Sequence, residues 1–271
     1  NQSLRLKEGC FMKFLGLPTG LILSLCLGGS LAMAADVSKF PADQINSVEI
    51  TKLTGKVYIE VTSQTEASVE KIGNNCPIEI GLTQNKLTIK EIAPKGSNNC
   101  NGTIKVSIPA TANINVDAQA ADVYANGLKG NAHFEISSGD LTVKNAQSNL
   151  TAKLGSGNID LVKFAGQTKV QLMSGNAHIS FVKADTNGPT TVKTMSGDVE
   201  IDLPQDFNQG PITASSVAGN VKIKAPAKLA IKADLHSLTG KIKNEFPEGP
   251  VANALEISAK TTAGNIKIEK K

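Results

Sequence analysis

The strongest constraint on this chain is a glycine-centred motif that returns seven times. Its clearest copies are Ser-Gly-Asp-Leu-Thr-Val (138–143), Ser-Gly-Asn-Ile-Asp-Leu (156–161), Ser-Gly-Asn-Ala-His-Ile (174–179) and Ser-Gly-Asp-Val-Glu-Ile (196–201), with weaker copies at Gly219, Gly240 and Gly264. Successive glycines lie 18, 18, 22, 22, 21 and 24 residues apart. A fixed period in this range marks stacked repeats, each too small to bury its own apolar face.

Alignment on the glycine shows how each copy is built. Two and four residues after it stand apolar pairs such as Leu141 and Val143, Ile159 and Leu161, or Val221 and Ile223. Three and five residues before it stand Ile136 and Phe134, Leu154 and Ala152, Leu172 and Val170, then Thr194 and Val192. Each copy therefore reads as two period-2 strands meeting at a glycine corner, with one face of each turned inward. The residue before the glycine is always small, and the residue after it is Asp or Asn except at Lys241. Asp and Asn tolerate left-handed backbone and can bond along a stack. The expected fold is all-β: a parallel β-solenoid of roughly eight coils, each laid on the last, over residues 111–271. The competing architecture is an antiparallel β-sandwich, since Gly-Asn and Gly-Asp also serve as hairpin turns. A degenerate first copy lies at Ala121-Asp122-Val123.

Residues 35–110 precede the repeats. Alternation marks strands near 47–62, 68–72, 78–82, 87–92 and 103–108, with a tight turn at Asn85-Lys86 and a turn resembling the repeat at Leu53-Thr54-Gly55-Lys56. This part is expected to be a small antiparallel β cap preceded by an extended stretch at 36–46. Cys76 and Cys100 sit in matching contexts after Asn74-Asn75 and Asn98-Asn99, and read as a disulfide. A loop of that size is stabilised by about 3.5 kcal/mol in the chain-entropy account.

Residues 1–34 read as leader and signal peptide. Met12-Lys13 supplies the basic start, Phe14 to Leu31 a short apolar run broken by Pro18 and Gly20, and Ala32-Met33-Ala34 the small-x-small cleavage pattern. Residues 1–11 precede the first Met and are left out of the fold reading. Cys26 follows Leu25, where a lipoprotein signal wants a small residue, so export to the periplasm, cell surface or medium is expected ahead of lipid anchoring. From Ala35 the chain carries 25 basic and 23 acidic residues, a net charge of +2. That balance gives no reason to expect nucleic acid as a partner. No membrane span is expected after the signal.

The Ser-Gly-Asp/Asn copies, preceded by Ile104-Lys105-Val106-Ser107-Ile108-Pro109, resemble the bacterial "putative adhesin" family with β-strand repeats, a family of unknown function. The resemblance covers roughly residues 45–271. It implies an envelope or surface role, names no ligand, and rests on turns and core alternation rather than on chemistry.

No nucleophile elbow, phosphate loop or metal-ligand spacing occurs, so no catalytic residue, metal or cofactor is assigned. His133, His178 and His236 fall on outward positions of different coils. Asp140 and Asp198 are separated in the stack by Asn158 and Asn176, which avoids the gathered carboxylates of a calcium site. A carbohydrate-active β-helix enzyme is the alternative from another class. Its best carboxylate pair, Asp160 and Glu200, would be about 10 Å apart with His178 between them. Two outward features are candidates for binding an envelope protein or polysaccharide. One is an apolar ridge two residues before the glycine, Met173, Met195, Val217 and Leu238. The other is a basic strip three residues after it, Lys222, Lys243 and Lys267. The expected function is a non-enzymatic, adhesin-like binding or scaffolding role at the envelope or cell surface.

Overall fold

Strict alternation over short runs gives strands, and the glycine corners decide how those strands are arranged. The structure, a computed structural model, describes residues 36–73, 76–92, 100–182, 188–207, 210–247 and 254–271. The expected signal peptide, its expected cleavage pattern and Cys26 lie outside the described residues, as do Asn74, Asn75, Asn98 and Asn99. The N-terminal strands are β1 (Asp36–Pro41), β2 (Ser47–Thr62), β3 (Glu66–Ile72), β4 (Ile78–Thr83), β5 (Lys86–Glu91) and β6 (Thr103–Pro109). A single 3-10 turn, Ala42–Gln44, joins the first two. The repeats begin with β7 (Asn113–Asn126), β8 (Ala132–Ser138), β9 (Leu141–Lys144), β10 (Leu150–Ser156), β11 (Ile159–Phe164), β12 (Thr168–Ser174) and β13 (Ala177–Phe181). They continue through β14 (Thr190–Ser196), β15 (Val199–Asp202), β16 (Ile212–Ala218), β17 (Val221–Ala225), β18 (Ile231–Thr239), β19 (Ile242–Asn244), β20 (Leu255–Ala263) and β21 (Ile266–Lys270). Among the described residues no helix is long and apolar enough to cross a membrane.

The repeats form a parallel β-solenoid. Strands before the glycine pair with their equivalents, β7–β8–β10–β12–β14–β16, and strands after it do the same, β7–β9–β11–β13–β15–β17. Pairing is in register, so Ile136 lies beside Leu154 and Leu154 beside Leu172. The inward residues merge into one buried cluster. The 22-residue coils add Phe181 and Phe207 to the core: the Phe181 ring meets Phe164 on one side and Phe207 on the other, edge to face.

The corner explains why the motif tolerates no other residue. Gly139, Gly157, Gly175, Gly197, Gly219, Gly240 and Gly264 all have φ between +127° and +156°. A Cβ on Gly157 would stand 2.0 Å from the Gly139 carbonyl oxygen of the neighbouring coil. The residue after the glycine then locks adjacent coils. Asp140 Oδ1 accepts the Asn158 backbone N–H at 2.7 Å, Asn158 Oδ1 that of Asn176 at 3.0 Å, and Asn176 Oδ1 that of Asp198 at 2.8 Å. The Asp/Asn ladder is thus mainly side chain to backbone. It starts at the degenerate copy, where Asp122 Oδ1 accepts from Asp140.

The N-terminal region mixes both pairing senses. β3 runs antiparallel to β1 and to β6, and β4 to β5. β2, however, runs parallel to β5, β6 and β7, with Gly55 and Lys56 in register with Ala121 and Asp122. The repeat-like turn at Leu53–Lys56 is therefore a coil of the stack in its own right. The β4–β5 turn sits one residue earlier than expected, at Gln84 and Asn85, which have φ of 50° and 62°. Residues 36–41, expected as an extended leader, are held as a paired strand. Cys76 and Cys100 form the expected disulfide, with Cα atoms 5.4 Å apart. The Thr54 hydroxyl lies 2.7 Å from the Cys100 carbonyl and 2.9 Å from Glu91 Oε1, tying the bridged loop to the β2 corner.

At the other end the stack departs from chain order. β20 pairs with β16 on one side and β18 on the other, and β21 lies between β17 and β19. The last coil in sequence is therefore inserted, and the coil before it forms the end. Burial accounts for the exchange. Leu255, Ile257, Ala259, Ile266 and Ile268 are all buried and suit a coil covered on both sides, whereas Ile242 of the end coil is 46% exposed. Lys241 breaks the Asp/Asn rule at the one corner of this run that has no further coil to bond, and a lysine there discourages edge pairing.

Gly157→Ala is expected to lower unfolding free energy by about 2 kcal/mol or more, from backbone strain plus the clash. Gly81→Ala, with open space around the new methyl, should be within about 0.5 kcal/mol of the parent. Urea denaturation of the two variants checks this. Replacing Cys76 and Cys100 together by Ser should cost roughly 3 kcal/mol, read as a lower urea midpoint that no longer responds to reductant.

Candidate functional site

The solenoid holds its outward residues in columns at the spacing of adjacent strands, about 4.8 Å. The column three after the glycine runs Tyr124, Thr142, Asp160, His178, Glu200, Lys222, Lys267, Lys243. The basic strip is therefore continuous, with Lys267 rather than Lys243 in its middle. Each of its lysines faces a carboxylate from the neighbouring column. Lys222 lies 3.0 Å from Glu269 and 3.8 Å from Glu200, Lys243 lies 2.8 Å from Glu245, and Lys267 pairs with Glu269. Lys224 adds a 2.7 Å pair with Glu200. The strip is one half of a charge lattice, which leaves little net field for an anionic partner.

Asp160 and Glu200 sit two coils apart with His178 between them, as the column requires. Asp160 Oδ1 is 2.8 Å from His178 Nδ1. The Lys224 ammonium, hydrogen-bonded to Glu200, holds that carboxyl below the usual carboxylate range. A glycosidase acid needs the opposite shift. His133 stands 3.8 Å from Glu135, and His236 Nε2 is 2.7 Å from Asp234, whose carboxyl that hydrogen bond holds low. Asp140 and Asp198 spend Oδ1 on backbone N–H groups of the next coil.

The apolar ridge points to solvent. Met173, Met195 and Val217 lie on three adjacent coils and are 63%, 58% and 52% exposed. Leu238, 81% exposed, does not follow Val217 directly: the inserted coil places Thr262 between them. A shallow depression of about 450 Å³ opens at this end, lined by Val217, Thr262 and Leu238 on one side and Ser215, Lys260 and His236 on the other.

Two features escaped the sequence reading, one inside the stack and one on its surface. Behind the ridge, the inward residue three before the glycine changes from Ile136, Leu154 and Leu172 to Thr194, Ser216, Thr261 and Ser237. Their hydroxyls donate to the corner carbonyls of Gly175, Gly197, Gly219 and Gly264. The small alcohol at a core position was the available signal. The second is the outward pair Tyr58 and Tyr124, in register on β2 and β7 with stacked rings, centroids 5.0 Å apart and planes at 12°.

The charge lattice has a sign in pH. Hydrogen bonds from Lys267 and then Lys222 lower the Glu269 carboxyl from 4.5 to about 2, and Glu245 and Glu200 shift the same way. A depressed carboxylate contributes its stability fully above the unfolded value and loses it as pH falls through the folded one. The thermal midpoint should therefore fall between about pH 4.5 and pH 2, and Glu269→Gln should flatten that slope, with a midpoint below the parent's above pH 6 and close to it at pH 2.

No curated protein matches the chain. Among solved structures it is similar to a protein from Bacteroides fragilis described as a "putative adhesin", at 13% identity over 88% of this chain and 98% of that one, with a TM-score of 0.48. It is also similar to a "putative cell adhesion protein" from Clostridium sporogenes, at 11% identity over 88% and 99% with a TM-score of 0.31. A third is a "putative lipid binding protein" from Parabacteroides distasonis, at 12% identity over 86% and 96% with a TM-score of 0.36. The profile of the Toastrack DUF4097 family matches residues 35–269. With nearly the whole run of strands inside that match, the chain belongs to the Toastrack DUF4097 family.

Proposed function

We propose that the protein is exported and acts without catalysis at the cell envelope or surface, binding or scaffolding a partner protein through its apolar ridge. The observation that carries this reading is the run of Met173, Met195 and Val217 on adjacent coils, each more than half exposed, with Leu238 beyond Thr262. Single exposed apolar residues are ordinary, but a line of them held by a rigid sheet favours an interface. Methionine suits such a contact because its unbranched side chain adapts to the opposing surface. The depression beside Val217 and Leu238 adds polar groups, Lys260 and His236, that can fix orientation. Export is supported by the signal-like pattern of residues 12–34 and by a disulfide, which persists in oxidising compartments. The adhesin-like reading comes from the family resemblance and from this surface together.

Cross-linking in envelope fractions, followed by capture of the protein, tests the proposal. Met195→Glu should keep the thermal midpoint within the range of ordinary surface substitutions, about 0.5 kcal/mol, and should reduce partner recovery several-fold. Undiminished recovery with Met195→Glu would rule out the ridge as the docking surface.

A further inference from the structure

The chain contains two tyrosines and no tryptophan. The fold brings both tyrosines to one place: Tyr58 on β2 and Tyr124 on β7 stand side by side, outward and half-buried, with their rings stacked. A stacked pair alone would strengthen the β2–β7 join by about 0.2–1 kcal/mol. What lies beyond Tyr124 gives the pair a second use. The next residue in the column is Thr142, a short side chain, and the one after it is Asp160. Tyr124 and Asp160 are therefore separated by two strand spacings, about 10 Å, over a low threonine floor. The outer face of the Tyr124 ring forms one wall of this seat. Asp160 forms the other, oriented by its 2.8 Å contact with His178. Asp160 and His178 are each nearly half exposed, so their remaining hydrogen-bonding capacity faces outward.

We infer that this seat is a saccharide-binding subsite that takes one pyranose ring of a polysaccharide. A pyranose has a face of C–H groups, electropositive at its surface, that matches the negative face of an aromatic ring. Its edge carries hydroxyls that are both donors and acceptors. Thr142 supplies a hydroxyl of the same double character and Asp160 an acceptor, while His178 on the next coil holds the Asp160 carboxylate in place. The gap between walls admits a ring of that thickness. This site sits on the strands after the glycine corner, whereas the ridge sits on the strands before it, and the inference stands independently of the ridge.

The chain carries its own reporter, because its intrinsic fluorescence comes from Tyr58 and Tyr124 alone. The full chain is titrated with chitohexaose, an acetamido-sugar polymer of the kind in cell-wall glycan strands, with cellohexaose, a plain hexose polymer, and with sorbitol as an acyclic control. A saturable change in tyrosine emission is expected with at least one hexasaccharide and none with sorbitol. Which hexasaccharide binds distinguishes a cell-wall strand from an extracellular glucan. Thr142→Leu fills the seat and keeps both tyrosines, and should weaken binding at least tenfold with an unchanged thermal midpoint. Asp160→Asn, which keeps shape and removes the charged acceptor, should weaken it about five- to tenfold and covers the case in which Thr142→Leu folds poorly. Absence of a saturable change with both hexasaccharides would overturn the inference, as would undiminished affinity in both variants or an equal response to sorbitol.

Discussion

Everything in this molecule depends on how closely two backbones can approach at a corner. The glycine of one coil sits against the carbonyl of the glycine before it, at a distance that leaves no room for a β-carbon. That approach lets the N–H of Gly157 reach the Ser174 carbonyl and the N–H of Asn158 reach the Asp140 side chain, so the corner stays hydrogen-bonded where a bend would otherwise leave backbone groups open. A motif of low chemical complexity thus carries a strict geometric demand. The Asp and Asn side chains that look at first like a row of ligand sites spend Oδ1 on the backbone of the next coil.

With the corners satisfied, outward positions become addresses at fixed spacing. The charge lattice at Lys222, Lys243, Lys267 and their glutamates occupies one block of that surface, the methionine ridge a second and the tyrosine pair a third. Isolated exposed ion pairs contribute little. Here they are repeated between columns, and their chief effect is to neutralise a strip that reads as basic when its column is taken alone. The ridge has no comparable neighbour to cancel it.

The legibility of the sequence follows from what each interaction spans. The corner, the inward alternation and the outward direction of Met173 and Met195 are set within one copy, and residues a few positions apart suffice to read them. The disulfide was legible because only Cys76 and Cys100 follow residue 34, and they sit in matching contexts. The lattice was half legible: the lysines share a column, but Glu269 and Glu245 belong to the next one over and enter only when strands are laid side by side. Tyr58 was not linked to Tyr124 because its copy, around Gly55, lacks the Ser-Gly-Asp signature and lies far away in sequence. The order of the last coils was hidden for a different reason. In-register pairing makes every coil a sterically acceptable neighbour of every other, so the alignment carries no information on which lies next to which. Lys241 was the one available clue, since it cannot serve as the Asp or Asn acceptor that an internal coil supplies.

That exchange of the final coils has a consequence for how the stack is completed. A solenoid that followed chain order could add each coil to a finished surface as the chain emerged. Here Ile231–Asn244 has its native seat only on Leu255–Lys270, the part of the given sequence that comes last. The terminal coil must wait for a segment that follows it, and the closing step joins two surfaces at once. The tail therefore works as a keystone: removing it would open a gap inside the stack rather than shorten it by one layer.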